Sequence, residues 1–90
     1  MISQKQVLTD IAKALVEFPD EVVVTETEND RAIVLELRVA QSDMGKVIGK
    51  QGKIAKAMRT IVRAATPASS KRYVVEIRER GGNAVDTDNE

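Results

Sequence analysis

The chain has 90 residues, of which 42% are hydrophobic and 31% charged, and it contains no cysteine, histidine or tryptophan. The length suits a single domain with a modest core. Without cysteine and histidine there is no thiolate nucleophile, no imidazole base and no zinc site of the usual kind. The longest apolar runs are only three or four residues, whereas a membrane span needs about 20. These limits predict a small cytoplasmic domain that uses no metal or cofactor and does not enter a membrane.

The net charge is zero, with 14 basic and 14 acidic residues, but the two signs are separated along the chain. Residues 45–80 contain ten basic and two acidic residues, whereas the remainder contains four basic and twelve acidic ones. This segregation predicts a positive surface for a polyanion, with an acidic remainder that keeps the molecule in solution. A solvated helix face that happens to be basic explains the same pattern, and charge alone leaves both interpretations open.

The first element is predicted to be a structural helix that begins after Ser3 and ends at Phe18, because Pro19 follows. Ser3 and Gln6 match a capping box, in which each side chain binds a free backbone N–H of the first turn. Apolar residues recur at three- and four-residue spacing along one stripe: Val7, Leu8, Ile11, Leu15 and Phe18.

Two strands are predicted next, and together they form a hairpin. Residues 22–25 are rich in β-branched side chains, and residues 28–30 are a turn signal. Residues 33–39 alternate between apolar side chains, which face the core, and a second face with two charged residues, which is expected to meet solvent.

Two further helices are predicted, from Met44 to Ile48 and from Lys53 to Ala65, separated by a loop. The residues before the short helix are cap formers: Gln41, Ser42 and Asp43. At 100° per residue, one side of the second helix is apolar and is expected to face the core: Ile54, Ala57, Met58, Ile61, Val62 and Ala65. The other side is cationic: Lys53, Lys56, Arg59 and Arg63.

A third strand is predicted from Arg72 to Arg78, so that the element order is α-β-β-α-α-β. A right-handed crossover through the helix pair makes the third strand parallel to the second. The predicted fold is therefore α+β, with a three-stranded mixed sheet covered on one face by three helices. The domain is expected to span residues 1–79. Residues 80–90 are expected to form a disordered acidic tail, because they have too few apolar groups to offset their ordering entropy.

The loop between the two helices, residues 49–52, is the candidate binding site. It has glycine at both ends and lysines around it, and glycine permits positive φ and close approach of another backbone. The start of the following helix offers free N–H groups and a partial positive charge, which favour phosphate. A tight helix–helix turn with a glycine C-cap explains Gly49, but not a second glycine three residues later or lysines without acidic partners nearby in sequence.

A P-loop is excluded, because neither possible alignment supplies its first glycine or its hydroxyl residue.

Val47 to Gly52 resembles the V-I-G-x-x-G signature of KH domains, and the element order is that of the bacterial-type (type II) KH fold over roughly residues 3–79. Within that group, the run from Asp43 to Ala57 is similar to the small single-KH RNA-binding proteins of the KhpA family. The resemblance implies a GXXG loop that clamps the backbone of about four single-stranded nucleotides. Ala55 departs from the pattern, because many KH domains carry Ile or Leu three residues after the second glycine.

The resemblance also implies which residues bind RNA. They are Lys46, Ile48, Gly49, Lys50, Gln51, Gly52, Lys53, Ile54 and Lys56. Ile48 and Ile54 are interpreted either as an apolar floor under the bases or as plain core packing, and Arg59 and Arg63 as a solvated helix face. Exchange of both loop glycines, or of Lys50, for Asp is expected to abolish RNA binding while the fold stays intact.

The partners implied by the resemblance are single-stranded RNA, a second copy of the chain, and a larger KH-containing RNA-binding protein linked to cell elongation and division. The implied role is that of a post-transcriptional regulator or RNA chaperone. The alternative is a protein–protein interaction module in which the KH fold serves dimerisation or scaffolding. An enzyme is not expected, because the acidic residues of the predicted elements show no catalytic pairing.

Overall fold

A computed structural model describes residues 3–68 and 70–79 and the backbone of residues 84–85. The helices and strands in these ranges are α1 (Gln4–Leu15), β1 (Val23–Glu28), β2 (Ala32–Val39), α2 (Met44–Ile48), α3 (Lys53–Ala64), β3 (Arg72–Glu79) and β4 (Ala84–Val85). Single 3-10 turns cover Pro19–Glu21 and Gln41–Asp43, and Lys50–Gly52 is a tight turn in which Gln51 has non-helical backbone angles. The predicted order α-β-β-α-α-β is confirmed for the first six helices and strands.

The sheet has the strand order β1-β2-β3-β4. β1 is antiparallel to β2, and β2 is parallel to β3 across the α2–α3 crossover, so the predicted mixed three-stranded sheet is confirmed. The short strand β4 is an addition that the sequence did not predict, and it pairs antiparallel with Ile77 and Arg78. It lies in the segment expected to be a disordered tail. The rest of residues 80–90 falls outside the described ranges, so the tail and the domain boundary at residue 79 stay predictions.

The core lies between the sheet and the helices. On β2 the alternation is as predicted, since Ile33, Leu35, Leu37 and Val39 are buried and the intervening residues are half-buried. The opposite face of the sheet carries charged side chains that pair with one another, with Glu36 contacting both Arg38 and Arg78. Leu8 and Ala12 of α1 and Val47 of α2 are fully buried in the same core as Leu35, Leu37 and Val39 of β2. Both helices therefore contact the sheet through apolar side chains.

α1 begins with half of the predicted capping box. The Ser3 hydroxyl accepts the Gln6 backbone N–H at 3.1 Å, as expected. The Gln6 side chain does not return to Ser3, because its amide donates to the Asp10 carboxylate at 2.7 Å one turn further on. The start of the helix is therefore confirmed, but with one cap bond instead of two.

α1 ends at Leu15, three residues earlier than predicted, and the Phe18 side chain is 47% exposed instead of lying in the core. The backbone N–H groups of Glu17 and Phe18 donate to the carboxylate of Asp43, each at 3.0 Å. These two long-range hydrogen bonds give the backbone after Leu15 partners outside the helix, so the helix ends before it reaches Phe18. Local periodicity holds no information about such a contact.

α3 faces the core with a side that overlaps the predicted one only in part, because Met58 and Val62 are buried as predicted and Ile54 is half-buried, whereas Ala57 and Ala65 are exposed. Its buried residues are Ala55, Met58, Arg59 and Val62. Ile61 is 45% exposed although it was predicted to be in the core, and Arg59 is only 8% exposed although it was predicted to be solvated. The prediction ranked side chains by hydropathy alone. Small Ala55 lets the helix approach its neighbours, and a long arginine stem can bury its methylene groups beside it. Arg63 is exposed, as predicted.

Candidate functional site

The loop from Gly49 to Gly52 is a tight turn built almost entirely from left-handed backbone. Gly49 has φ 76°, Gln51 has φ 59° and Gly52 has φ 75°. The Gly52 N–H donates to the Gly49 carbonyl at 3.1 Å and closes the turn. Lys50 and Gln51 lie at the tip with exposed side chains. The sequence prediction of a glycine-bounded loop between two helices is thus confirmed, and the loop presents main chain to its surroundings.

The two glycines are required for different reasons. A Cβ at Gly49 would lie 2.2 Å from Cγ1 of Ile54 and 2.9 Å from its backbone nitrogen, so no side chain fits there. A Cβ at Gly52 would meet open space, and only the left-handed φ favours glycine at that position. The expectation that Asp at both glycines leaves the fold intact therefore does not hold at Gly49. Lys50 is exposed and has no positive φ, so its charge can be changed without a steric or backbone penalty.

Cations are concentrated on the loop and on the start of α3. Lys50, Lys53 and Lys56 are exposed, and none of them pairs with a carboxylate among the described residues. The N-cap of α3 is Gly52, which has no side chain, so the first-turn N–H groups have no side-chain cap. The positive end of the helix dipole and three lysine ammonium groups thus act on the same surface, which favours an anion.

Ile48 and Ile54 flank the loop, and their core packing is confirmed, whereas their role as an apolar floor under the bases stays a prediction. Each is half-buried and packs against the core, and each keeps part of its side chain on the surface. Ala55, which departs from the common KH pattern, is fully buried, and Met58 beside it is 1% exposed. The core under the loop is therefore closed by a small residue together with its larger neighbours.

Lys46, on α2, has surroundings unlike those of the other predicted RNA-binding lysines. Its ammonium nitrogen lies 3.6 Å from Glu17 Oε1 and 3.6 Å from Asp43 Oδ1. The Lys46 side chain is about half exposed, and that of Asp43 is fully buried. Lys46 is therefore the one cation near the loop whose carboxylate partners lie within the described residues.

Asp43 is a structurally important residue whose role the sequence analysis missed. It was predicted to cap α2, but its side chain makes no cap bond there and instead accepts the N–H groups of Glu17 and Phe18. Burial by itself raises the pKa of Asp43, but the two N–H donors and Lys46 stabilise the carboxylate more strongly and hold its pKa below the ordinary value. The donors lie 25 and 26 residues away in sequence, so no local signal could reveal them.

Asp43→Asn is expected to lower the melting temperature at neutral pH by roughly 5–15 °C. The amide replaces one acceptor oxygen with a donor, which then faces a backbone N–H. Because the folded-state pKa of Asp43 is depressed, its contribution is present above the ordinary aspartate pKa of about 3.9 and is lost as the pH falls below that value. The difference in melting temperature between variant and wild type, measured by circular dichroism, should therefore shrink below about pH 4.

The exposed Asp20→Asn is the control, and its melting temperature should equal that of the wild type. Equal melting of Asp43→Asn and wild type at pH 7 would contradict this role.

Across the described ranges, no helix is long and apolar enough to cross a membrane. The same residues contain no group of three or more acidic, histidine or cysteine side chains arranged to hold a metal ion.

The fold is α+β, with a mixed sheet and two helices that follow its second strand. Together with the glycine-bounded cationic loop between those helices, it defines a KH domain. A family model described as the KH domain of KhpA/KhpB matches residues 5–77. The chain therefore belongs to the KhpA/KhpB KH-domain family.

Relatives with high sequence identity agree with this assignment. "RNA-binding protein KhpA" of Clostridium acetobutylicum is 60% identical over 73 residues, which cover 81% of this chain and 97% of the relative. The protein of the same name from Aquifex aeolicus is 48% identical over 79 residues, covering 88% of this chain and all of the relative. That from Treponema pallidum is 47% identical over 74 residues, covering 82% and 92%. No solved structure gives a significant match.

Proposed function

We propose that this protein binds single-stranded RNA by clamping the sugar–phosphate backbone with the loop from Gly49 to Gly52. The observation that carries the proposal is the coincidence of left-handed, side-chain-poor main chain with three exposed lysines that pair with no described carboxylate. A phosphate can lie directly against such a backbone, and KH loops hold about four nucleotides in this way. The relatives named as RNA-binding proteins support the same conclusion.

Each residue of the site has a distinct role in this proposal. Gly49 and Gly52 give the loop the backbone conformation that lets the phosphates approach, with open space beside Gly52 and Ile54 packed against Gly49. Lys50 and Gln51 contact the phosphates from the tip. Lys53 and Lys56 attract the strand along α3, and Lys46, which pairs with Glu17 and Asp43, adds only a weak attraction on the α2 side. Ile48 and Ile54 offer their exposed parts to the bases. Few of these contacts read base edges, so binding is expected to be weak and poorly sequence-specific.

The salt dependence of binding tests this proposal. Three phosphate contacts by lysine predict a slope of about −2 in log affinity against log salt for a single strand, or a loss of roughly 15-fold between 50 and 200 mM. The protein is titrated with a short single-stranded RNA at several salt concentrations while its amide resonances are observed by NMR. This experiment measures the dependence of the affinity on salt and locates the residues that contact the RNA. The largest shifts are expected at residues 49–53. An affinity independent of salt, or shifts confined to the outer face of the sheet, would contradict the proposal.

In the cell, the proposed role is that of a post-transcriptional regulator or RNA chaperone acting in the cytoplasm with a larger KH-containing partner. Weak and weakly selective binding suits a protein that contacts many transcripts briefly. Crosslinking followed by sequencing of the bound RNA tests this role. Many transcripts joined through their single-stranded regions are expected, and an absence of crosslinked RNA would contradict it.

A second candidate function, self-association, is supported by the exposed apolar strip on α3. Ala57, Ile61 and Ala64 are exposed and recur at helical spacing, and Ile61 is the large residue among them. Small residues on both sides of a large one permit close contact with a second α3 across a two-fold axis. Sedimentation at micromolar concentrations is expected to show a dimer, and Ile61→Glu a monomer that still binds RNA. A wild-type monomer throughout that range would contradict self-association.

A further inference from the structure

Lys46 is held by two carboxylates that differ strongly in their surroundings. Asp43 is fully buried and also accepts two backbone N–H groups, whereas the side chain of Glu17 is 67% exposed. An exposed ion pair of this kind is weak, because solvent competes for both charges. Glu17 is therefore the partner that can release Lys46, and Asp43 is the one that stays in place.

The position of Lys46 places it close to the proposed RNA site. It lies three residues before Gly49, and residues three apart in a helix occupy neighbouring positions on one face. Side chains of a helix lean toward its N-terminus, so Lys46 leans toward Asp43 and away from the loop. The Lys46 backbone is thus within one helical turn of the loop, whereas its ammonium group is directed toward the carboxylates.

We propose that Glu17 limits the affinity of this protein for single-stranded RNA by holding the Lys46 ammonium away from the strand. This inference rests on the proposed function, since it concerns a further phosphate contact at the same site. In the free protein Lys46 is neutralised by Glu17 and Asp43, and a phosphate next to the loop must displace Glu17 to reach it. Glu17 is accordingly an affinity-determining residue although it does not itself contact RNA.

The geometry permits a clean test, because the two contributions of Glu17 come from different atoms. Its backbone N–H binds Asp43, and its carboxylate binds Lys46. Glu17→Gln removes the carboxylate and leaves the backbone donor unchanged. The fold is therefore expected to persist in this variant, which a circular dichroism melt verifies.

The experiment measures the affinity of Glu17→Gln, Lys46→Ala and the double variant for a short single-stranded RNA over a range of salt concentrations. Glu17→Gln is expected to bind about two- to five-fold more tightly than wild type, with a salt slope steeper by about 0.7 because one more phosphate is neutralised. Lys46→Ala alone should lose less than about two-fold. The double variant should not keep the gain in affinity.

Glu28→Gln is the matched control. Glu28 pairs with Lys71 at 2.6 Å, far in sequence from the loop, so its exchange makes the same change in net charge and also releases a lysine. It is expected to leave the slope unchanged. An equal gain in Glu28→Gln, an unchanged slope in Glu17→Gln, or a gain that persists without Lys46 would overturn the inference. Wild-type binding that does not depend on Lys50 would overturn the proposed function and this inference with it.

Discussion

Charge reversal at the loop tip, Lys50→Asp, is expected to weaken the binding of single-stranded RNA at least about ten-fold. The change removes the proposed charge-assisted hydrogen bond to a phosphate and places a carboxylate on the proposed path of the strand. Lys50 is exposed and pairs with no carboxylate among the described residues, so the melting temperature should stay that of the wild type. Fluorescence anisotropy with a labelled oligonucleotide measures the loss.

Arg63→Asp provides the matched control for this prediction. It makes the same change in charge on an exposed residue of α3, ten residues beyond Lys53 and roughly 15 Å along the helix. The loss there is expected to be small, since only long-range attraction changes and salt screens it. If the two variants lose affinity equally, binding depends on overall charge and the loop has no special part in it.

Gly49→Ala is expected to destabilise the protein by roughly 2–5 kcal/mol. Two effects add at this position. The new Cβ would overlap Ile54, and the backbone angles, φ 76° and ψ 173°, lie in a region that is almost exclusive to glycine. Because the free energy of unfolding of small domains is only about 5–15 kcal/mol, this substitution is expected to remove a large part of it. Urea unfolding followed by circular dichroism measures the change.

Two other glycines serve as controls for this prediction. Gly52→Ala adds a Cβ into open space and should cost only about 1–2 kcal/mol, for the left-handed φ. Gly45→Ala lies within α2, again in open space, and should stabilise the protein by up to about 1 kcal/mol. The expected order of stability is thus Gly45→Ala, wild type, Gly52→Ala and Gly49→Ala. A Gly49→Ala variant as stable as Gly52→Ala would show that Ile54 moves aside freely.

Much of the candidate site could be predicted from local sequence. The alternation in β2 and the apolar spacing in α1 identify elements, because residues within one element share a face through a fixed period. The loop can likewise be recognised from residues that are close together in the sequence. Glycines at positions 49 and 52 mark left-handed backbone, and the lysines beside them reveal the charge of the surface without any knowledge of packing.

The tertiary structure alone decided where α1 ends, which side of α3 is buried and what Lys46 contacts. Asp43 binds Glu17 and Phe18 through donors that only the folded chain brings within 3.0 Å. Ile61 and Arg59 exchange their expected places because burial depends on the shape of the opposing layer as well as on hydropathy. The sequence by itself determined the first six helices and strands, their order and the glycine-bounded cationic loop, since these depend on neighbours in the chain. Contacts between residues distant in sequence depend on how the layers fit together, and they decided which carboxylates hold Lys46.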